Sequence, residues 1–155
     1  WDSAWIDFSK GLGAPIGAVI AGSRAFIDDV WRWKQRLGGS MRQAGICAAA
    51  CIYALDHHVT RLSEDHDNAA RLARGLSQAI PHIRVENDPP STNMVYFHWE
   101  NPSVPTERFL DACKEKGLRF SRMAPRRLRS VTHLDVTRDN IDSAVEIVRA
   151  VARSL

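Results

Sequence analysis

The stretch "DFSKGLGAPIG", residues 7–17, sets Lys10 between a serine and three glycines, with Pro15 close behind. A surface lysine needs no such frame, because a long charged side chain sits comfortably on any solvated helix. Glycines around one lysine point instead to something that approaches the backbone closely. The flanks read as strands. "WDSAWIDF" (1–8) carries one over Ala4–Phe8, and the β-branched, glycine-bounded "APIGAVIAGS" (14–23) carries a second over residues 16–21. Two short strands joined by a glycine-rich turn predict a hairpin.

Helical signals follow. Ser23 is placed to cap a helix over Arg24–Arg36, which "LGGS" (37–40) ends. Ser40 is placed to cap the next, Met41–Leu55, whose small residues on all sides predict burial or a subunit interface. A long helix over His57–Ala79 carries Val59, Leu62, Ala69, Leu72, Ala73 and Leu76 on one stripe. After "IPHIRVENDPPST" (80–92) the texture changes. "HIRVE" (82–86), "NMVYFHW" (93–99), "LRF" (118–120) and "RSVTHLDV" (129–136) read as strands. Residues 106–116 read as a helix ended by Gly117. The terminal helix over 141–155 has Ile141, Ala144, Val145, Val148, Val151, Ala152 and Leu155 at helical spacing. The expected domains are 1–78, with the Lys10 loop, and 79–155, a small α+β unit.

Composition bounds the function. The chain has 155 residues, 45% hydrophobic and 25% charged, as one ordinary globular domain does. A net charge of +3, scattered along the chain, does not announce a nucleic-acid protein. "AGICAAACIYAL" (44–55) is too short and too alanine-rich to span a bilayer. Three cysteines cannot all pair, which favours a reducing, cytoplasmic setting. With no initiator Met, Trp1 reads as a point of truncation or processing.

Lys10 is the foremost candidate for chemistry. A lysine amine becomes nucleophilic when burial or neighbouring charge deprotonates it, and it then forms a Schiff base with a carbonyl. The plain alternative is a turn lysine beside a hairpin. Arg126, Arg127 and Arg129 read as a solvated basic run. Cys47 and Cys51, four apart on one helix face, read as small core residues rather than zinc ligands. His57, His58 and His66 read as surface positions, His133 as a satisfied core histidine, and the five tryptophans mostly as packing.

Five stretches, in order, resemble the low-specificity L-threonine aldolase family. They are "SKGLGAPIGAVIAGS", "RWKQRLGGSMRQAGICAAACIYAL", "RLSEDHDNAARLARGL", "TNMVYF" and "SVTHLDVTRDNID". The resemblance runs from residue 7 to near the end of the chain. It implies an α/β fold, the C-terminal part of a fold type I, aspartate-aminotransferase-like enzyme, with pyridoxal 5'-phosphate as cofactor. By this resemblance Lys10 is the catalytic lysine that bonds the cofactor. Arg129 takes the substrate α-carboxylate, and Arg126 and Arg127 stay solvated. Arg42 reaches the cofactor phosphate across a dimer interface, or else forms a structural ion pair there. Relatives carry a third glycine where Ser40 stands. The implied activity is retro-aldol cleavage of L-threonine, or of allo-threonine and related β-hydroxy-α-amino acids, to glycine and an aldehyde, by a homo-oligomer that is a dimer of dimers. Alternatives are a β-eliminating lyase, a phenylserine aldolase, or a non-catalytic assembly fragment. The family's ring-stacking, phosphate-cradling and pyridine-pairing residues lie upstream of the lysine, so this chain is expected to be inactive alone.

Overall fold

Short-range capping and glycine signals shape the first sixty residues. The computed structural model describes residues 1–78 and 80–155. Strands β1 (Ser3–Asp7) and β2 (Ala18–Gly22) pair antiparallel with Trp5 opposite Ile20, so the hairpin forms as predicted. Helix α1 (Arg24–Arg36) starts where expected, because the Ser23 hydroxyl accepts from the Phe26 amide at 3.3 Å. Helix α2 (Gly45–His58) does not start at Met41. Gln43 adopts φ 52°, a left-handed conformation that a right-handed helix cannot contain, and Ala44 caps the helix with no side-chain bond. Nor is α2 buried within this chain: only Ala54 is buried on it, while Ile46, Ile52, Tyr53 and Leu55 are exposed. Phe8, Leu12, Ala14 and Ala54 form a small core, with Cys51 and Leu62 packed against it.

The helix predicted over 57–79 is two helices. His57 and His58 close α2, a turn follows, and α3 covers Leu62–Ser77. Ala79, the expected last residue, lies outside the described residues. The compact units divide between Leu62 and Ser63, whereas the change of texture predicts a division at 78/79. The apolar stripe of α3 accounts for this, since Ala69, Leu72, Ala73 and Leu76 are buried in the core of the second unit.

That unit is α+β. Strands β3 (Ile83–Val85), β4 (Met94–Trp99), β5 (Ser121–Arg122) and β6 (Arg127–Val131) form an antiparallel sheet in the order β3-β4-β6-β5. "LRF" (118–120) precedes β5 rather than forming it, and the predicted 129–136 strand turns away after Val131. Residues alternate across β4, so Val95, Phe97 and Trp99 enter the core while Met94, Tyr96 and His98 face the other way. Helix α4 (Thr106–Glu115) contributes Phe109 and Cys113, and Gly117 follows it at φ 83°. Helix α5 (Arg138–Ser154) contributes Ile141, Val145, Val148 and Val151. It starts earlier than predicted because Thr137 and Asn140 form a reciprocal cap. Trp99 stacks on Phe109 with centroids 4.3 Å apart, and its indole N–H donates to the Val104 carbonyl at 2.9 Å. Burying each such large side chain contributes about 1.5–3 kcal/mol. Trp1, Trp5, Trp31 and Trp33 are exposed, so tryptophan serves packing only at Trp99.

Candidate functional site: the Lys10 loop and the Arg129 sheet face

β1 delivers the chain into a tight loop. The Phe8 amide donates to the Gly17 carbonyl at 3.0 Å, Ala14 to Phe8 at 2.9 Å, and Gly13 to Lys10 at 2.9 Å. Gly13 sits at φ 70° and Gly17 at φ 132°, conformations that glycine adopts without strain. With Phe8, Leu12 and Ala14 buried beneath, the Lys10 side chain is left 75% exposed, its Nζ 3.1 Å from Asp7 Oδ2. The Ser9 hydroxyl and amide, donating at 2.6 and 2.9 Å, hold the Asp7 carboxyl below its ordinary range, and Lys10 adds to this.

α2 fastens the far side of the loop. His58 Nδ1 lies 2.6 Å from the Leu12 carbonyl oxygen, and the Cys51 thiol donates to the Ile16 carbonyl at 3.3 Å. A Cβ at Gly17 would stand 2.7 Å from Cys51 Sγ, so this glycine serves packing against α2. His58 is therefore a half-buried partner of the loop rather than the surface histidine the sequence predicts. His57 and His66 are exposed as predicted. Arg42 is exposed in the turn before α2. The helix N-terminus predicted at Met41 lies instead at Gly45.

In the second unit, β6 carries Arg127 and Arg129 on one face, and Tyr96 of β4 stands directly opposite Arg129. Arg127 is half-buried and paired rather than a free solvated charge. Its Nε and Nη2 donate to Glu86 Oε1 and Oε2 at 2.6 and 2.9 Å, and its guanidinium lies 4.3 Å over the Tyr96 ring. This forked pair holds the Glu86 carboxyl down at about 2 against the opposing effect of desolvation, and His98, 2.8 Å away, adds to the lowering. Arg126 is exposed, as predicted. His133 is no core residue: its side chain is 45% exposed beside Asp135.

Arg129 is the contrasting case. It is half-buried, and its Nε is a buried side-chain polar atom with no hydrogen-bond partner among the described residues. Such a donor costs about 1–3 kcal/mol unless an acceptor arrives, and a carboxylate oxygen is the natural acceptor for a guanidinium edge. Lys10 and Arg42 belong to the first unit and Arg129 to the second. Sequence reasoning missed Glu86, Tyr96 and His98. Alternation in "NMVYFHW" does place Tyr96 and His98 on one face, but the strand register alone brings Glu86 and Arg127 to them.

Among the described residues no group of three or more His, Cys, Asp or Glu is placed to hold a metal ion, and no helix is long and apolar enough to cross a membrane. The chain is 41% identical over 142 residues to the low-specificity L-threonine aldolase of Escherichia coli K12, covering 90% of this chain and 40% of that protein. It is 38% identical to low-specificity L-threonine aldolase 1 of Arabidopsis thaliana, again over 90% of this chain and 39% of the relative. The chain thus spans about 40% of the length of the curated relatives it matches. Among solved structures, a putative L-allo-threonine aldolase from Listeria monocytogenes superposes with a TM-score of 0.76 at 20% identity, covering 99% of this chain and 44% of that one. A putative aromatic amino acid beta-eliminating lyase/threonine aldolase from Exiguobacterium gives 0.75 at 22%, covering 97% and 45%. These likenesses establish the α/β fold of the fold type I enzymes. A family model described as beta-eliminating lyase matches residues 1–100, and with it the chain belongs to the beta-eliminating lyase family.

Proposed function

We propose that the whole protein carrying this chain is a pyridoxal 5'-phosphate-dependent threonine aldolase. It cleaves L-threonine, or allo-threonine and related β-hydroxy-α-amino acids, to glycine and an aldehyde. The reading is carried by likeness to threonine aldolases over 90% of the chain. The first unit would then belong to the large cofactor-binding domain, and the second, with α3 in its core, would form the small one.

The residues present fit the cofactor in one respect that chemistry demands: Lys10 offers a reachable amine on a loop fixed at both ends. When bound, pyridoxal 5'-phosphate supplies an electron sink for the pair left on Cα as the Cα–Cβ bond breaks. Lys10 would hold the cofactor through its side-chain amine. Asp7 balances the charge on Lys10 while the lysine is free. Arg129 grips the α-carboxylate through its Nε edge, which orients the bond to be broken. Arg42 is assigned to the cofactor phosphate, supported by its matching place in "GGSMRQ". The exposed Ile46, Ile52 and Tyr53 of α2 support self-association, with the homotetramer as the assembly, and the three free cysteines support a cytoplasmic setting.

A second reading, β-elimination, is favoured by the family match itself. One assay separates them. The whole protein, supplied with cofactor and L-threonine or L-serine, is expected to release glycine and an aldehyde. Pyruvate or 2-oxobutyrate with ammonia, and no glycine, would establish elimination instead. The 155-residue chain alone is expected to show no turnover.

A further inference from the structure

On the outer face of the second unit's sheet, strand β6 carries two arginines of opposite circumstance. Arg127 and Arg129 lie two residues apart on β6, so their side chains leave the same face with backbones roughly 7 Å apart. Left alone, each would compete for any anion that approaches the other. The neighbouring strands prevent this. Glu86, just beyond β3, draws the Arg127 guanidinium across β4 and holds it through both carboxylate oxygens. His98 takes a further contact with Glu86 Oε1 at 2.8 Å. In crossing β4, Arg127 comes to rest 4.3 Å over the Tyr96 ring, and Tyr96 is the residue directly opposite Arg129. Arg127 is thus committed by charge, by a forked hydrogen bond and by an aromatic contact. Arg129 is left with a buried, unpartnered Nε.

We propose that Glu86 and Arg127 are positioning residues for Arg129: their clamp pins the Tyr96 ring beside it and, with Arg84 paired to Glu100, leaves Arg129 the one guanidinium on that face with no acceptor among the described residues. This inference rests on the reading that Arg129 takes the substrate carboxylate, and it adds to that reading how the site is held to one carboxylate. Both residues act through others, since neither is free to touch the ligand. Loosening the clamp lets the Tyr96 ring move and restores a second cation beside the first. Amino-acid binding then weakens, while the steps that follow binding are unaffected.

The test uses the whole protein with its cofactor and four variants: Glu86→Gln, Arg127→Ala, the double variant, and Arg129→Ala. Each of the first two is expected to raise KM for the amino acid about tenfold, with kcat within about twofold, since a positioning loss appears in binding. The double variant is expected to be no worse than Arg127→Ala, because both changes open one clamp. Malonate, a dianion, is expected to inhibit Glu86→Gln more strongly than the parent, because Arg127 is released to join Arg129; a merely structural role would not move that readout. If Arg127→Ala fails to fold, the near-isosteric Glu86→Gln carries the test. An unchanged KM and malonate response in Glu86→Gln, while Arg129→Ala raises KM, overturns the positioning role and leaves the carboxylate reading standing. An unchanged KM in Arg129→Ala overturns that reading, and the inference with it.

Discussion

His58 Nδ1 meets the Leu12 carbonyl at 2.6 Å, a bond that joins the last turn of α2 to the loop presenting Lys10. The residues are 46 apart in sequence, so this one contact closes a large part of the first unit onto itself. His58→Ala is expected to lower the stability of this chain by about 1–2 kcal/mol, from a lost hydrogen bond and an unmatched carbonyl. Urea titration gives that number. Hydrogen exchange at Gly13 and Ala14 should accelerate, while α5 amides stay protected; uniform exchange across both would show that His58 does not act on the loop.

Gly17 gives a sharper steric case. Alanine there meets two penalties, a left-handed φ of 132° and a Cβ 2.7 Å from Cys51 Sγ. Gly17→Ala is expected to destabilise by about 2–4 kcal/mol, from backbone strain plus overpacking. Adding Cys51→Ala should recover only the packing part. Full recovery in a denaturation series would mean that the backbone conformation costs nothing.

In helix α3 the same substitution pits two effects against each other. Gly75→Ala gains about 1 kcal/mol of helix propensity. The new methyl, however, lands 2.5 Å from Cγ2 of Val145, a stiff β-branched side chain buried between α3 and α5. Overpacking costs about 1–3 kcal/mol, so net destabilisation is expected. A raised melting temperature would show that α5 shifts aside freely.

Acid should weaken the Glu86 clamp in a defined window. The folded-state value is about 2 against an ordinary 4.5, so the folded protein binds this proton less readily than the unfolded chain. The clamp's contribution is therefore complete above pH 4.5 and is lost as pH falls through about 2. Asp7, Glu107 and Asp142 are also held low, so the comparison must be between parent and variant. The stability difference between parent and Glu86→Gln is expected to shrink over that range. A difference that stays constant from neutral pH down to pH 2 would place the effect elsewhere.

Lys10 is expected to be the residue that keeps the cofactor after borohydride reduction of the loaded whole protein. Peptide mapping should find the phosphopyridoxyl group on the peptide spanning "DFSKGLGAPIG". The group on Lys34, or on another lysine, would withdraw the assignment.

What the sequence by itself determined was whatever a few neighbouring residues can decide. Ser23 caps α1, Gly117 follows α4, and the glycine-bounded apolar runs pair as β1 and β2. Each rests on hydrogen bonds or φ preferences within about one turn of chain, which composition and spacing express directly. Its family was legible for another reason: five ordered stretches carried the resemblance that the comparisons bear out. Tertiary structure decided the rest. Gln43 turns left-handed and moves the start of α2, although nothing in "GGSMRQ" announces it. Arg126, Arg127 and Arg129 read alike as a basic run. Only the pairing of β3, β4 and β6 brings Glu86, 41 residues away, to Arg127 and leaves Arg129 Nε without a hydrogen-bond partner among the described residues. Strand register and long-range hydrogen bonds join residues whose sequence separation carries no periodic signal. The chemistry of such a face is therefore set only when the chain has folded.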